Sequence, residues 1–525
     1  MTGKTGGARG PRGARTLAVV AAIAILATAC SVVHVHVGSP GRAVSTGSGN
    51  YQEALAYAQC MRSHGLPTFP LPDPSKTSGV SIQLSNHPNS PGARANDACK
   101  HLLPGGSKTT GAAAAPPTAG APGGAASADC LAIQPACYTP QQLRVAYGIQ
   151  PLLDRGITGR GQTVVLPEFP PSAAVGAQVP PAATDIWQDL ARFDRMFGLP
   201  AARLQVVNSL AHQASPWLAS PEEVADTEIV HAFAPGAAIQ EVLIPSPYTV
   251  SLGRVNAAAL AAMRLSLTQG GVISFSGGTG EQCFTPPQVA QWQSVMQAAQ
   301  RDRVTVAVSA SDFGAATTAC PPQTDSSRVK GVDLPASDPL ALAVGGTSLR
   351  ASRATGAYIS ETAWNTPPSA GGPGAGGGGF SRLFSRPAYQ DGIAAIGTTR
   401  GVPDVAADAD PRTGMALAFT ESGQNYLIAG GGNSVATPLW AAVIALADQY
   451  ADRDLGFVNP ALYRIGHGAS YRQAFHDVTT GTNTVTFPAQ TITGYRATPG
   501  WDPVTGWGSP DAQVLVPLLA RYASP

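Results

Sequence analysis

A serine at the start of an apolar run is the first candidate for chemistry in this chain. The stretch "GGGNSVATPLWAA" places Ser434 after three glycines and before an alanine-rich segment that predicts a buried helix. A serine there would lie at the positive end of the helix dipole, which favours a nearby oxyanion. The residues alone fit a nucleophile and a helix N-cap equally well. They do not form the Gly-x-Ser-x-Gly elbow of α/β-hydrolases, because Ala436 replaces the second glycine.

A serine nucleophile needs a general base, and histidine is the usual one. The histidines of the large C-terminal part of the chain lie outside any recognisable histidine-base motif; they are His212, His231, His467 and His476. A carboxylate is therefore the alternative base to look for.

The stretch "SPEEVADTEIVHAFAPGA", from Ser220, predicts a capped helix with acids in its first turns. Glu222 and Asp226 are spaced i and i+4, so both carboxyl groups lie on one face. Two close carboxylates repel when both are ionised, so one pKa should rise, and such a base works best in acid. Solvated acids at a helix start are the more common meaning of this pattern. The residues alone also leave Glu223 and Glu228 open as the relevant acid.

Two further features supply acids next to turns. Asp312 follows the apolar strand of "AVSASDFGA", where it is either a turn former or, if it is protonated and faces the serine, a donor to an oxyanion. Asp477 and Asp502 lie in "HDVTTGTN" and "TPGWDPVTGWG", two glycine-containing segments with exposed carbonyls. These segments are ordinary turns unless a cation binds them.

The elements around these residues alternate between strand and helix. The apolar, non-alternating strands are predicted in "GQTVVLPEF", "AAIQEVLIP", "GVISFSGG" and "VTVAVSASD", and the intervening helices in "AALAAMRLSLTQG" and "PPQVAQWQSVMQAAQRD". This order predicts an α/β fold with a central, mostly parallel sheet covered by helices on both faces. The working side chains of such a sheet lie at the carboxyl ends of its strands.

Composition narrows the class of protein. Charged residues make up 12% of the 525 residues, about half of the usual share, and the formal net charge is +1. Nothing therefore suggests a nucleic-acid partner. The 59 Gly and 46 Pro predict long loops and a linker, while the apolar fraction excludes wholesale disorder.

The N-terminus predicts export. Four basic residues precede the uncharged run "TLAVVAAIAILATAC", which is too short to span a bilayer comfortably and ends at Cys30. The run resembles a bacterial lipoprotein signal in which Cys30 becomes acylated; plain cleavage and a retained anchor are the alternatives. We expect an extracellular or cell-surface protein, secreted or attached to the membrane through lipid on Cys30.

The chain divides into four zones. Residues 1–30 form the signal, residues 31–103 a small two-cysteine module, residues 104–128 a flexible Ala/Gly/Pro linker, and residues 129–525 one large domain. The small module resembles a two-cysteine segment of bacterial secreted lipoproteins. In an exported chain the cysteines after the signal are expected to form disulfides, and proximity favours Cys60–Cys99, Cys130–Cys137 and Cys283–Cys320 among the fifteen connectivities.

From Cys137 to its end, the chain resembles the sedolisin family of serine-carboxyl peptidases, which has a subtilisin-like fold. The motifs that carry the resemblance are "EEVADTEIVHAFAPGA", "VISFSGG", "VSASDFG", "GGGGFSRLFSRPAYQ", "RGVPDVAADADPRTG", "GGNSVATPLWAA" and "DPVTGWGSP". So many ordered motifs over the large domain make a chance match implausible.

The resemblance implies a role for each matching residue. Ser434 would be the nucleophile, Glu222 the general base, Asp226 the acid that orients it, and Asp312 the acid of the oxyanion hole. The resemblance also implies one structural calcium ion bound by the carboxylates and carbonyls of Asp477, Val478, Thr498, Gly500 and Asp502. The expected function is an exported, acid-acting endopeptidase, a monomer with protein or peptide substrates.

The sequence departs from the family pattern at a few positions. Asn433 stands where a threonine is usual, Gly277 where many members have tryptophan, and Thr498 where glycine is usual. No large activation prodomain is evident before residue 129. These departures leave an alternative, a catalytically inactive surface binding protein that retains the peptidase fold. A neutral-pH serine hydrolase that uses one of the histidines ranks behind both.

Overall fold

The computed structural model describes residues 137–169, 185–208, 219–244, 252–320, 328–366, 374–421 and 424–523, with residues 59, 60, 62, 63 and 99 nearer the N-terminus. The signal, Cys30, the linker at 104–128 and most of the two-cysteine module lie outside the described residues. Within the described residues, no helix is both long and apolar enough to cross a membrane.

The large domain contains helices and strands in alternation. The helices are α1 (Pro140–Ala146), α2 (Gln150–Leu153), α3 (Ile186–Phe197), α4 (Pro221–Phe233), α5 (Leu252–Leu267), α6 (Pro286–Arg301), α7 (Asn433–Ala451), α8 (Asn459–Gly466), α9 (Tyr471–Ala474) and α10 (Ala512–Tyr522).

The strands in the first half of the domain include those of the main sheet. They are β1 (Thr163–Glu168), β2 (Arg203–Asn208), β3 (Ala238–Leu243), β4 (Val272–Phe275), β5 (Thr279–Gly280), β6 (Thr305–Ser309), β7 (Ala316–Thr318), β8 (Arg328–Lys330), β9 (Asp333–Leu334), β10 (Leu342–Ala351) and β11 (Tyr358–Ala363). The later strands are mostly short pairs, namely β12 (Asn365–Thr366), β13 (Gly374–Ala375), β14 (Gly379–Ser385), β15 (Thr399–Val402), β16 (Val405–Asp408), β17 (Ala416–Glu421), β18 (Gln424–Ala429), β19 (Phe475–His476), β20 (Val485–Phe487), β21 (Gln490–Ile492) and β22 (Ser509–Pro510).

The central sheet has the order β11-β10-β6-β4-β1-β3-β2, and β16 also pairs with β10. All its pairs are parallel except β10–β11. The four strands predicted from apolar runs are β1, β3, β4 and β6, which lie side by side in the middle of this sheet. The predicted α/β fold with a mostly parallel sheet is therefore confirmed.

Both faces of the sheet are covered, as the apolar strands require. Along β1, the side chains of Val164 and Leu166 pack into a core that includes the buried helix α7, while Val165 packs into a second core with α5 and α6. Because successive side chains of a strand point to opposite faces, a strand buried on both sides is apolar without alternation.

The disulfide predictions are confirmed where the structure describes both cysteines. Cys60 is bonded to Cys99, and Cys283 to Cys320. Cys137 is also disulfide-bonded, but its predicted partner, Cys130, lies outside the described residues.

Candidate active site

Ser434 lies at the start of α7, but it is not the helix cap. The helix begins at Asn433 and its N-cap is Gly432, which has φ +102° and offers no side-chain cap. The interpretation of Ser434 as an N-cap is therefore wrong, because the serine is the second residue of the helix. Its side chain is 8% exposed and lines a cleft of about 490 Å³, mouth included. The hydroxyl is thus placed at the positive end of the helix and remains accessible.

Helix α4 brings the predicted base to the serine. A capping box between Ser220 and Glu223 fixes the start of α4, and α4 packs directly against α7. The Glu222 carboxyl group is hydrogen-bonded to the Ser434 hydroxyl. Burial raises the pKa of Glu222 to about 6, although the hydrogen bond with Ser434 acts in the opposite direction.

The other two candidate acids have different partners. The Glu223 carboxylate accepts the N–H of Ser220 and so belongs to the capping box. Glu228 Oε2 accepts the N–H of Ala418 at 2.8 Å, which ties α4 to β17. Glu222 is therefore the acid that the geometry supports among the three that the sequence left open.

Asp226 lies one helical turn after Glu222 and is fully buried. Burial and then repulsion by Glu222 raise its pKa well above the ordinary range. Its carboxyl group accepts the Ser276 hydroxyl at 2.8 Å and is hydrogen-bonded to Glu168. The expected pair of acids on one helical face is therefore present. Asp226, its second member, is held by Glu168 of β1 and by Ser276, which follows β4.

Sequence reasoning missed two acids that extend this cluster. Glu168 ends β1 and Glu241 lies within β3; both are buried, and burial is the main cause that raises the pKa of each. The pKa of Glu241 rises to about 8 even though the Thr227 hydroxyl donates to it at 2.6 Å. They could have been predicted from the sequence, because an acid in a mostly apolar strand that is buried on both faces is unusual.

Asp312 lies beyond the end of β6 and faces the same cleft. Its Oδ1 accepts the backbone N–H of Asn433 at 2.5 Å, and burial raises its pKa to about 7. A Cβ added at Gly432 would lie 2.8 Å from Asp312 Oδ2, so this carboxyl packs tightly on the turn into α7. Below that pKa the group carries a proton and can donate a hydrogen bond into the cleft that it shares with Ser434.

Asn433, which departs from the family pattern, stabilises the backbone next to Asp312. Its Nδ2 donates to the carbonyls of Ser311 at 2.8 Å and Val344 at 3.2 Å. Because Ser311 immediately precedes Asp312 and has φ +95°, the amide holds the strained turn that presents this acid. Asn433 is therefore compatible with the site that the resemblance predicts.

Gly277, the second departure, leaves part of the cleft wall without a side chain. A Cβ at this position would lie 2.8 Å from the tip of the Phe275 ring. The Phe275 ring thus lies beside the space that a side chain at residue 277 would enter.

The predicted calcium ligands come from two neighbouring loops. Asp477 accepts the N–H of Gly500 at 3.1 Å, which ties the two loops together, and Asp502 accepts the N–H of Thr498 of its own loop at 3.0 Å. Asp502 is fully buried, and no ion pair within the described residues includes it. In the described parts of the chain, no group of three or more His, Cys, Asp or Glu side chains could hold a metal ion. An ion at these loops would therefore need backbone carbonyls and water for its remaining ligands.

The fold and the site together define a class of protein. In an α/β fold with a mostly parallel sheet, one cleft contains a serine at a helix N-terminus, a carboxyl group of the adjacent helix that is hydrogen-bonded to it, and a second buried acid. This arrangement is that of a subtilisin-like fold with carboxyl groups beside the serine.

Comparison with known proteins identifies the relatives of this chain, although no family model matches it. The chain is 32% identical over 403 residues to kumamolisin of Bacillus sp. (strain MN-32), covering 74% of this chain and 65% of that protein. It is 38% identical over 185 residues to sedolisin of Pseudomonas sp. (strain 101), covering 35% of this chain and 30% of that protein. The chain thus spans just under two thirds of kumamolisin's length and less of sedolisin's.

A solved structure agrees with the sequence relatives. Pseudomonas sedolisin, a serine-carboxyl proteinase in complex with two molecules of pseudo-iodotyrostatin, aligns with a TM-score of 0.59 and 26% identity over 74% of this chain and 99% of that chain. The chain is accordingly a homologue of the sedolisin-type serine-carboxyl peptidases.

Proposed function

We propose that this protein is an exported serine-carboxyl endopeptidase that cleaves peptide bonds in acid through an acyl-enzyme on Ser434. The observation that carries the proposal is the hydrogen bond between Ser434 and Glu222, with Asp312 in the same cleft. Homology to kumamolisin and sedolisin supports the reaction class. The disulfides and the predicted N-terminal signal support export.

The proposed acylation step begins with the hydrogen-bonded pair of Ser434 and Glu222. Ser434 Oγ attacks the carbonyl carbon of the scissile bond while its proton passes to the Glu222 carboxylate. The proton on Glu222 then passes to the leaving amine, which departs as the acyl-enzyme forms. Water attacks the ester with Glu222 again as base, and the proton returns to Ser434. Glu222 thus takes the part that histidine has in other serine peptidases.

The other acids support this cycle in different ways. A protonated Asp312 donates a hydrogen bond to the oxyanion of each tetrahedral intermediate, and the N-terminus of α7 adds its positive dipole. Asp226, held by Ser276 and Glu168, orients Glu222 and keeps a proton within the buried network.

We further propose that one calcium ion binds the two C-terminal loops. The carboxylates of Asp477 and Asp502 and the carbonyls of Val478, Thr498 and Gly500 form an oxygen-only set, which is the chemistry that calcium prefers. The ion would tie the loops together and have no part in the reaction.

Trapping the acyl-enzyme tests the proposed chemistry. An amino-terminal peptide fragment bound to the protein should appear in the intact mass after an acid quench, and fragmentation should locate it on Ser434. Glu222→Gln should lower the rate of its formation by several orders of magnitude, because the amide cannot accept the proton. Efficient cleavage without any covalent adduct in the pre-steady state, together with full activity of Glu222→Gln, would exclude this mechanism.

A further inference from the structure

A second pocket lies beside the catalytic cleft, and its lining is basic. It measures about 350 Å³, mouth included, and its walls include Lys330, Arg382, Tyr495, Gly331, Gly378 and Gly379. Among the described residues that line this pocket, none carries a carboxyl group. The catalytic cleft, in contrast, is lined by Glu222, Asp312 and Asp333.

Both cations are exposed, and each contacts another residue of the pocket lining. The Lys330 ammonium lies 4.2 Å from the centre of the Tyr495 ring, and Arg382 Nη2 donates to the Lys330 carbonyl at 2.9 Å. Burial raises the pKa of Tyr495, and the charge of Arg382 acts in the opposite direction, so this guanidinium lies near the phenol. Lysine, arginine and a phenolic hydroxyl therefore converge as hydrogen-bond donors.

Neither cation has an acidic partner among the described residues. The ion pairs of the described chain include neither Lys330 nor Arg382. The adjacent acid is Glu281, whose oxygens accept the Ser381 hydroxyl and the backbone N–H of Arg382. Both charges are thus available to a ligand that enters the pocket.

The pocket and the catalytic cleft share a wall. Phe313 and Asp333 line the cleft, Ala315 and Gly331 line the pocket, and the N–H of Gly331 donates to the Ala315 carbonyl at 3.1 Å. A single residue, Val332, separates Asp333 from Gly331, so their Cα atoms lie at most about 7 Å apart. A peptide lying in the cleft would therefore reach the pocket within a few residues of its scissile bond.

We propose that this pocket is a subsite for a carboxylate of the peptide substrate, either an Asp or Glu side chain or the C-terminal carboxylate. Two cations and a hydroxyl donor, in a pocket whose described lining has no acid, are complementary to that group. The inference rests on the proposed peptidase function, because the position of the carboxylate is defined relative to the scissile bond that Ser434 attacks.

Matched peptides test the subsite. Pairs that differ only by Glu or Gln, scanned over four positions on each side of the scissile bond, and pairs with a free or amidated C-terminus, are compared by kcat/KM at pH 5.5, where a Glu side chain is mostly ionised. In one of these pairs, kcat/KM for the peptide with the carboxylate should exceed that for its neutral partner by roughly five- to tenfold. The pair that responds identifies the source as a side chain or a C-terminus.

A double variant links the preference to the pocket. In Lys330→Gln/Arg382→Gln the ratio of kcat/KM between the two members of the responding pair should fall to about onefold, because the carboxylate peptide loses its cationic partners. Arg264→Gln/Arg301→Gln, which removes two exposed charges from α5 and α6, should keep the preference. Equal kcat/KM within every pair, a preference that survives in the double variant, or an equal loss for the neutral peptide would each overturn the subsite.

A binding experiment tests the subsite independently of the proposed reaction. Ser434→Ala protein is titrated with the labelled member of each pair, and anisotropy gives the Kd. A lower Kd for the carboxylate peptide that disappears when the two Gln substitutions are added supports the subsite even if no peptide is cleaved. Cleavage without any such difference in Kd or kcat/KM leaves the peptidase assignment standing and removes the subsite.

Discussion

The proposed chemistry of this site depends on carboxyl groups that keep their protons to a higher pH than ordinary carboxyl groups do. Burial raises the pKa of Glu222 to about 6 and that of Asp312 to about 7. Glu222 must be ionised to accept a proton from Ser434, whereas Asp312 must be protonated to donate to an oxyanion. Both conditions hold together only in weak acid, so the two groups set opposite limits on activity.

A bell-shaped pH profile of kcat/KM follows from these two groups. Activity should rise as Glu222 ionises near pH 6 and fall as Asp312 loses its proton near pH 7. In Asp312→Asn the amide donates at every pH and its oxygen can still accept the Asn433 N–H. We therefore expect the alkaline limb to move upward by at least about one pH unit, even if the maximal rate falls.

Steady-state assays of both proteins from pH 4 to 9 measure this shift. An alkaline limb at the same pH in Asp312→Asn as in the parent would show that another group sets it. Asp333→Asn is a suitable comparison, because Asp333 lines the same cleft and burial likewise raises its pKa.

The sequence predicted the residues that we propose to react, but not the residues that support them. The i and i+4 spacing of Glu222 and Asp226 and the position of Ser434 before an apolar helix are local patterns, and the structure brings these residues together. The contributions of Glu168, Glu241 and Ser276 depend on which strands are neighbours in the sheet, and this information is not local. Asn433 looked anomalous because its partners, Ser311 and Val344, are distant in the sequence.

At the scale of elements, the site is the contact between α4 and α7 above the carboxyl ends of β4 and β6. The capping box fixes the first turn of α4, and the turn at Gly432 fixes the first turn of α7. The four central strands and the two helices behind them were predictable from apolar runs. Strand β2, helix α3 and the antiparallel edge strand β11 carry weaker or more polar patterns and were not predicted.

The turn into α7 should be intolerant of a side chain. Gly432→Ala introduces a Cβ 2.8 Å from Asp312 Oδ2 at a backbone conformation that favours glycine. The variant should fold with a stability loss of about 1–3 kcal/mol but lose at least about tenfold in kcat, because Asp312 is displaced from the cleft. Thermal denaturation and steady-state kinetics on the same sample measure both effects.

Gly156→Ala is the matched control for this substitution. Gly156 has φ +81° and nothing within 4 Å of an added Cβ. It should lose stability through backbone strain alone and keep kcat. Equal losses of kcat in the two variants would show that strain, rather than displacement of Asp312, is responsible.

At the scale of the whole molecule, the buried acids predict that stability falls as the pH rises. Burial raises the pKa of Glu241 to about 8, so the folded state binds its proton more tightly than the unfolded state. Its stabilising contribution is complete below the ordinary pKa and is lost as the pH rises through about 8. The melting temperature should therefore fall by at least about 5 °C between pH 5 and pH 8.

Glu241→Gln isolates this contribution. The melting temperature of the variant should fall less between pH 5 and pH 8, because the amide has no proton to release. Asp154→Asn, at an exposed position, should behave like the parent. A pH dependence in Glu241→Gln identical to that of the parent would contradict the account of the buried cluster.

Calcium should stabilise the whole domain through its C-terminal loops. Removing calcium with a chelator at constant pH should lower the melting temperature by several degrees, and added calcium should restore it. Asp502→Asn should abolish the response to calcium. A melting temperature that is the same with and without calcium would refute the proposed ion.

We propose that Ser434 is the nucleophile of an acid-acting peptidase. The most direct measurement is kcat/KM for a denatured protein substrate at pH 5.5, with parent and Ser434→Ala compared after circular dichroism and melting have shown equal folding. We expect the variant to lose at least about a thousandfold in activity. Parent-level proteolysis by folded Ser434→Ala would contradict it.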